Sequence, residues 1–233
     1  ITVNTSVSQP SGTSNRHQFY TQLEKQDVYH LEWGTSTAKT CTLSFWVKSS
    51  VTGTHSAYIR HYGGTTQSYY TNYTIDSANT WEKKVITVTG PTSGGNVDGA
   101  TDNGILIEFT LGVSSGLETG TLREWTSSTT LRAAAGSVYL PENAGATWYV
   151  TGIQFEIGSQ ASAFEHRSFG DELALCQRYY CHTYPYTVYP GANYNSDSNA
   201  RRGMLFNYKQ HTTNYQAFQW SPPVEMRTVP TQT

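Results

Sequence analysis

Four stretches of alternating side chains, separated by turn sequences, occupy residues 41–89. They are Cys41–Lys48, His55–His61, Ser68–Ile75 and Trp81–Thr89. In the first stretch Leu43, Phe45 and Val47 project to one side, which predicts a half-buried strand. Turns rich in Gly, Ser and Asn between such strands are typical of sandwiches and jelly rolls. The sequence therefore predicts an all-β fold, an antiparallel jelly-roll β-sandwich.

The β pattern continues beyond residue 89, with one long interruption. Residues 105–111 and 146–157 alternate as strands, and in the second of these the alternation places Tyr149 and Phe155 on the same face. Residues 112–145 show few periodic signals. We predict that they form long loops with at most one short strand.

A short helix is predicted after the last of these strands. Leu173, Cys176 and Tyr179 fall within a helical stripe, and Ser168 is the predicted N-cap. Beyond the helix, alternation returns in a smaller β unit that has too few strands to close. The predicted division is a jelly-roll domain over 1–164, a connecting corner and short helix over 165–181, and an incomplete β unit over 182–233.

Composition excludes several classes of partner. Charged residues make up only 14% of the chain, and the formal net charge is -2. The adjacent pair Arg201 and Arg202 is isolated, so no nucleic-acid partner is predicted. No apolar run approaches the roughly 18 residues that a membrane span requires, so no membrane insertion is predicted. Low charge with abundant Thr and Tyr favours pleated, half-buried surface over helix. It also suits a rigid particle component whose exposed face contacts neutral, hydroxylated ligands.

Several segments follow one another along the chain in the same order as the segments of a pattern that recurs in other proteins. They are Thr42–Ser50, Gly53-Thr54, Ala78–Lys83, Asp102–Gly104, Gly152–Tyr180 and Pro223–Thr228. Together they resemble tail-fibre and receptor-binding proteins of tailed bacteriophages. The N-proximal part of such proteins is similar to the jelly rolls of carbohydrate-binding modules.

The resemblance implies a structural virion protein, located in a tail fibre or another external appendage and assembled in the host cytoplasm. Its expected partners are a host surface glycan, other virion proteins and further copies of itself. Two alternatives remain open at this point. A capsid decoration protein can have a similar fold, and so can the carbohydrate-binding module of a polysaccharide-active enzyme.

Trp46 is the most distinctive candidate for ligand contact. Leu43, Phe45 and Val47 fill the other face of its strand, which leaves the indole beside Ser44 and Lys48. Sugar-binding jelly rolls place aromatic rings on an exposed sheet face, where pyranose C–H groups stack on them. The predicted carbohydrate-binding residues are Trp46, Tyr58, Arg60, Tyr70 and Asn72. Alternatively, Trp46 lies beneath residues 112–145 or at a subunit contact.

A metal site is a second candidate. Asp98 and Asp102 could supply oxygen ligands to Ca²⁺, although Asp beside Gly is also common in ordinary turns. No other cofactor is predicted.

No catalytic residue is predicted either. The sequence contains no nucleophile elbow, phosphate-binding glycine loop or zinc-binding helix motif. Glu108, Glu124 and Glu156 are of the right type for glycoside hydrolysis. The alternation places Glu108 and Glu156 on the solvent side of their strands, where carboxylates are common without being catalytic. The sequence therefore predicts a protein that is not an enzyme.

The tyrosine-rich segment 182–233 is predicted to be an assembly surface. Exposed aromatic residues on an incomplete sheet would promote aggregation of a monomer. Burial against identical chains would remove that liability, so a homo-oligomer is expected, with a trimer favoured.

Overall fold

The computed structural model describes residues 1–97, 102–181 and 222–227. The chain divides into two compact units, Ile1–Glu165 and His166–Thr233. The predicted domain boundaries stay predictions, and most of the proposed β unit at 182–233 lies outside the described residues.

The described residues form ten strands and two α-helices. The strands are β1 (Arg16–Glu24), β2 (Cys41–Ser49), β3 (Gly53–His61), β4 (Gln67–Ile75), β5 (Glu82–Val88), β6 (Asn103–Val113), β7 (Glu118–Thr119), β8 (Trp125–Thr126), β9 (Ala133–Ala134) and β10 (Trp148–Ile157). The helices are α1 (Lys25–Val28) and α2 (Phe169–Gln177), and 3-10 turns occupy Tyr29–Leu31, Ser115–Leu117 and Leu140–Glu142.

Two antiparallel sheets make up the first unit. The larger has the order β1-β6-β3-β4-β8, and the smaller has the order β10-β2-β5. The short strands β7 and β9 form a separate parallel pair. The predicted all-β sandwich, followed by a short helix, is confirmed.

The core lies between the two sheets. Leu43, Phe45 and Val47 of β2 are fully buried, as their alternation predicts. The ring of Phe45 meets Phe109 of the opposite sheet edge-to-face, with centroids 4.8 Å apart. Burying one such side chain contributes about 1.5–3 kcal/mol. The sandwich is therefore held mainly by apolar contact across its two inner faces.

A β-bulge in β10 changes which side chains face outward. Thr151 pairs with Trp46 and Gln154 with Ser44, so Gly152 and Ile153 together oppose a single residue of β2. Gly152 has φ +56°, a left-handed conformation that favours glycine.

The bulge overturns the predicted alternation of β10. Tyr149 points outward before the bulge, whereas Phe155 packs against the core after it. The uniform alternation, which placed these two residues on one face, is therefore wrong. An inserted residue shifts the two-residue period by one position.

The second unit contains α2. The Ser168 side chain accepts a hydrogen bond from the Asp171 backbone N–H at 3.2 Å, as expected for an N-cap. In the described part of the chain, no helix combines the length and the apolar character that crossing a membrane requires.

Candidate functional site

The outer face of the smaller sheet presents Trp46 to solvent. The strand β2 is central in this sheet, and Trp46 lies directly between Thr151 of β10 and Lys83 of β5. Because its odd-numbered neighbours fill the core, the indole projects away from it. Its exposed fraction is 43%.

Two further aromatic residues lie next to Trp46 on the same face of the sheet. Trp81 and Tyr149 are each 42% exposed. The Lys48 ammonium nitrogen lies 4.7 Å from the centroid of the Tyr149 ring and 5.2 Å from that of the Trp81 ring. Both distances are within the range of cation–π attraction. We call Trp46, Lys48, Trp81, Lys83 and Tyr149 the Trp46 surface.

An open groove adjoins the Trp46 surface. It has a volume of about 470 Å³. Its lining residues are Ile1, Phe19, Trp81, Trp148, Tyr149, Val150 and Thr151. Two members of the Trp46 surface, Trp81 and Tyr149, therefore form part of a concave, aromatic wall.

The other end of the same sheet face is covered by residues 158–165. The Thr42 hydroxyl donates to the Gly158 carbonyl oxygen at 2.7 Å. The Ser162 N–H and hydroxyl donate to the Glu156 carboxylate at 2.9 and 2.6 Å. These hydrogen bonds, with a further one from Gln154, hold the pKa of Glu156 below its usual range. The covering segment leaves the Trp46 end of the face open.

The remaining predicted carbohydrate-binding residues lie on the larger sheet. Tyr58 and Arg60 belong to β3, and Tyr70 and Asn72 belong to β4. They project from the outer face of that sheet, since Ala57, Ile59 and Tyr69 fill its inner face. The structure therefore divides the five predicted residues between two sheets, with Trp46 alone on the smaller one.

Residues 118–139 cover the outer face of the larger sheet, except for β8, which is the edge strand of that sheet. The Tyr70 hydroxyl donates to the Ser128 carbonyl oxygen at 3.1 Å. The Arg60 guanidinium donates to the Thr129 carbonyl oxygen at 2.7 Å. Tyr58 and Tyr70 are each only 1% exposed beneath this segment. A ligand on the surface of this structure does not reach either tyrosine.

This arrangement contradicts the alternative that Trp46 lies beneath residues 112–145. The segment 112–145 was a candidate to cover that indole, and it covers the tyrosines of the opposite sheet instead. Trp46 is thus exposed within the described part of the chain. Contact of Trp46 with another subunit stays a prediction.

Glu108 also lies beneath the covering segment. It is almost fully buried, and the Thr110 hydroxyl donates to its carboxylate at 3.1 Å. Burial raises the pKa of Glu108 above its usual value, although Thr110 and Arg132 oppose the shift. The prediction that Glu108 faces solvent is wrong, because residues 118–139 fold over its side of the sheet. Glu108 and Glu156 lie on different sheets and do not form a carboxylate pair.

The predicted calcium ligands are only partly described. The Asp102 carboxylate lies 3.9 Å from the Lys25 ammonium and is well exposed. Asp98 lies outside the described residues. Within the described ranges, no group of three His, Cys, Asp or Glu side chains is placed to hold a metal ion. A calcium site at Asp98 and Asp102 stays a prediction.

Of the Trp46 surface, sequence reasoning predicted only Trp46 as a ligand contact and missed the two lysines and the two other aromatic residues. Trp81 directly precedes β5, and the alternation of β10 places Tyr149 on the same face as Phe155. Both could have been found by aligning β2 with its two neighbours, because Lys48 pairs with Tyr149. That alignment requires knowledge of which strands are adjacent.

Comparison with known proteins gives little further guidance. The chain matches no protein-family model and no curated protein. It is similar to a solved structure described as "CBM4 structure and function", at 14% identity and a TM-score of 0.35. The match covers 64% of this chain and 80% of that one. A likeness of this size carries no argument about the ligand.

Proposed function

We propose that the chain is a carbohydrate-binding domain that attaches to a surface glycan without cleaving it. The observation that carries this proposal is the Trp46 surface, where three exposed aromatic rings and two lysines share one face of the smaller sheet. Exposed aromatic groups of this kind are uncommon without a partner.

The chemistry of such a surface suits a sugar ring. The apolar C–H face of a pyranose stacks on an indole, while nearby polar groups bind its hydroxyls. Thr151 and Lys83 flank Trp46 on either side and supply a hydroxyl and an ammonium. Because β2 is the central strand, the indole is presented on a fixed backbone, which limits the entropy lost on binding.

We further propose that the domain belongs to an external appendage of a tailed-phage virion, as a homo-oligomer with a trimer favoured. The sequence resemblance of the segments from Thr42 to Thr228 supports this setting. In it, the glycan would be one on the host surface, and the neighbouring partners would be other virion proteins. Light scattering of the purified chain tests the oligomer.

The binding proposal is tested on an array of bacterial surface oligosaccharides. We expect the intact protein to bind at least one glycan, and Trp46→Ala and Trp81→Ala to lose most of that binding. Tyr29→Ala is the matched control, because Tyr29 is an exposed aromatic residue outside the Trp46 surface. Equal binding by the intact protein and both tryptophan variants would place the site elsewhere.

Two measurements separate the alternatives. Release of reducing ends from a bound polysaccharide would contradict attachment without cleavage and would favour a polysaccharide-active enzyme. Immunogold microscopy of virions should label the tail. Labelling of the capsid would favour a decoration protein, and no labelling would contradict the virion setting.

A further inference from the structure

The charges on the Trp46 surface are all of one sign. Lys83 lies directly opposite Trp46 on β5, and Lys48 lies two residues along β2 on the same face. Residues two apart on a strand are about 7 Å apart. In the described part of the chain, no carboxylate forms an ion pair with either lysine. Trp46 therefore has one lysine beside it on the neighbouring strand and a second lysine two residues along its own strand.

The carboxylates close to this face are already engaged. Glu82 accepts from the backbone N–H groups of Asp76 and Ser77 and pairs with Lys84 at 2.6 Å. Glu156 is bound by Ser162 and Gln154, as described above. Neither carboxylate forms a hydrogen bond with Lys48 or Lys83, although attraction to Lys83 contributes to the lowered pKa of Glu156. The charge of Lys48 therefore remains available to a ligand, and that of Lys83 is partly offset by Glu156.

Lys48 is held in place before any ligand binds. Its ammonium lies over two aromatic faces, at 4.7 and 5.2 Å from their centroids. Cation–π contact orients the side chain but leaves its charge intact. Ordering a free lysine on binding costs side-chain entropy. Prior contact with Trp81 and Tyr149 removes part of that cost, which favours a specific ligand group at this point.

We propose that the glycan bound by this surface is anionic. Its carboxylate or sulfate group contacts Lys48, its ring stacks on Trp46, and Lys83 contacts the opposite side of the ring. This inference rests on the proposed glycan binding and narrows the ligand class. It also replaces the neutral ligand that the low overall charge suggested.

The test uses pairs of polymers that differ only in charge. Polygalacturonate and alginate are compared with their carboxyl-reduced derivatives, and dextran sulfate is compared with dextran. We expect the intact protein to bind at least one anionic polymer about tenfold more tightly than its neutral counterpart, a ratio equivalent to about 1.4 kcal/mol. The carboxylate and sulfate pairs distinguish the two sources of charge.

Substitutions test whether the preference for anionic polymers arises at the Trp46 surface. Lys48→Met retains the apolar stem of the side chain and should abolish most of the difference in affinity between an anionic polymer and its neutral counterpart. Lys83→Met provides a second, independent variant. Arg123→Gln is the charge-matched control, because Arg123 is exposed and its backbone N–H donates to the Tyr70 carbonyl oxygen, on the larger sheet. An equal loss in the control and in Lys48→Met would show general attraction of a polyanion and would overturn the proposal.

The remaining outcomes separate this inference from the proposed function. If the protein binds an anionic polymer and its neutral counterpart equally well, and both bindings depend on Trp46, the proposal of an anionic ligand is overturned and the proposal of glycan binding stands. Failure of the intact protein to bind any polymer of the panel, together with a blank oligosaccharide array, would overturn both.

Discussion

The rings of Tyr58 and Tyr70 stack on the outer face of the larger sheet, 5.2 Å apart and inclined by 15°. Both lie beneath residues 118–139, with the Arg132 guanidinium 5.4 Å from the centroid of the Tyr58 ring. The pair connects the sheet to its covering segment. Its burial makes it a structural contact, in contrast to the exposed rings on the opposite sheet.

Tyr58→Ala should therefore destabilise the fold without weakening glycan binding. Removing a buried aromatic side chain costs about 3–5 kcal/mol in the free energy of unfolding. Urea unfolding measures that loss, and the oligosaccharide array measures binding under conditions where the variant is folded. A loss of binding by folded Tyr58→Ala would place the ligand site under residues 118–139 instead of at Trp46.

Gly152→Val should disturb both the bulge and the Trp46 surface. A Cβ at this position would lie 3.4 Å from Cδ1 of Trp46, in van der Waals contact, so we expect the two further methyl groups of valine to crowd the indole. The left-handed backbone adds a cost of roughly 1–2 kcal/mol for a residue with a side chain.

Gly145→Val is the matched control for this substitution. Gly145 has φ +78°, and a Cβ there would meet no atom within 4 Å. We expect both variants to have a lower melting temperature and only Gly152→Val to have lower glycan affinity. Equal affinities of the two variants would show that the position of Trp46 does not depend on the bulge.

Glu82 should stabilise the turn between β4 and β5. The hydrogen bond from Lys84, together with those from the Ser77 and Asp76 N–H groups, lowers the pKa of Glu82 to about 2. Glu82→Gln removes the charge from these contacts and should cost about 1–3 kcal/mol at neutral pH. Glu142→Gln, at an exposed carboxylate, is the control.

The pH dependence of this effect has a defined sign. Because the folded-state pKa lies below the ordinary value of 4.5, the stabilisation is complete above that pH and declines as pH falls toward 2. Thermal unfolding of the parent protein and Glu82→Gln should therefore converge over this interval. A constant difference between the two proteins down to pH 2 would contradict the assignment.

His61 should make the fold sensitive to mild acid. It is fully buried, and neither ring nitrogen has a hydrogen-bond partner among the described residues. Burial lowers the pKa of His61 from 6.5 to about 4. The unfolded chain therefore takes up a proton at a higher pH than the folded chain does.

Stability is consequently greatest above pH 6.5 and should decrease by on the order of 3 kcal/mol as pH falls to about 4. His55, whose pKa burial also lowers, should add to the effect in the same direction. Urea unfolding at stepped pH measures the loss, and NMR titration of the His61 ring measures its pKa directly. A ring that titrates near 6.5 in the folded protein would refute this origin.

Much of the fold follows from local sequence patterns. The strand β2 lies where the alternation of Leu43, Phe45 and Val47 predicts it, and α2 begins after the predicted cap at Ser168. Such features are determined by residues close together in the chain, because side chains alternate along a strand and a cap bonds the first helical turn. The bulge at Gly152 is also local, but alternation alone does not reveal an inserted residue.

The sequence by itself determined the core strands, the cap of the helix and the outward direction of Trp46. It did not distinguish Trp46 from Tyr58 and Tyr70, since all three alternate onto the outer face of a strand in the same way. Only the tertiary structure decided that residues 118–139 fold over the tyrosines and leave the indole exposed. Accessibility depends on contacts between segments distant in the chain, and the period of a single strand carries no information about them.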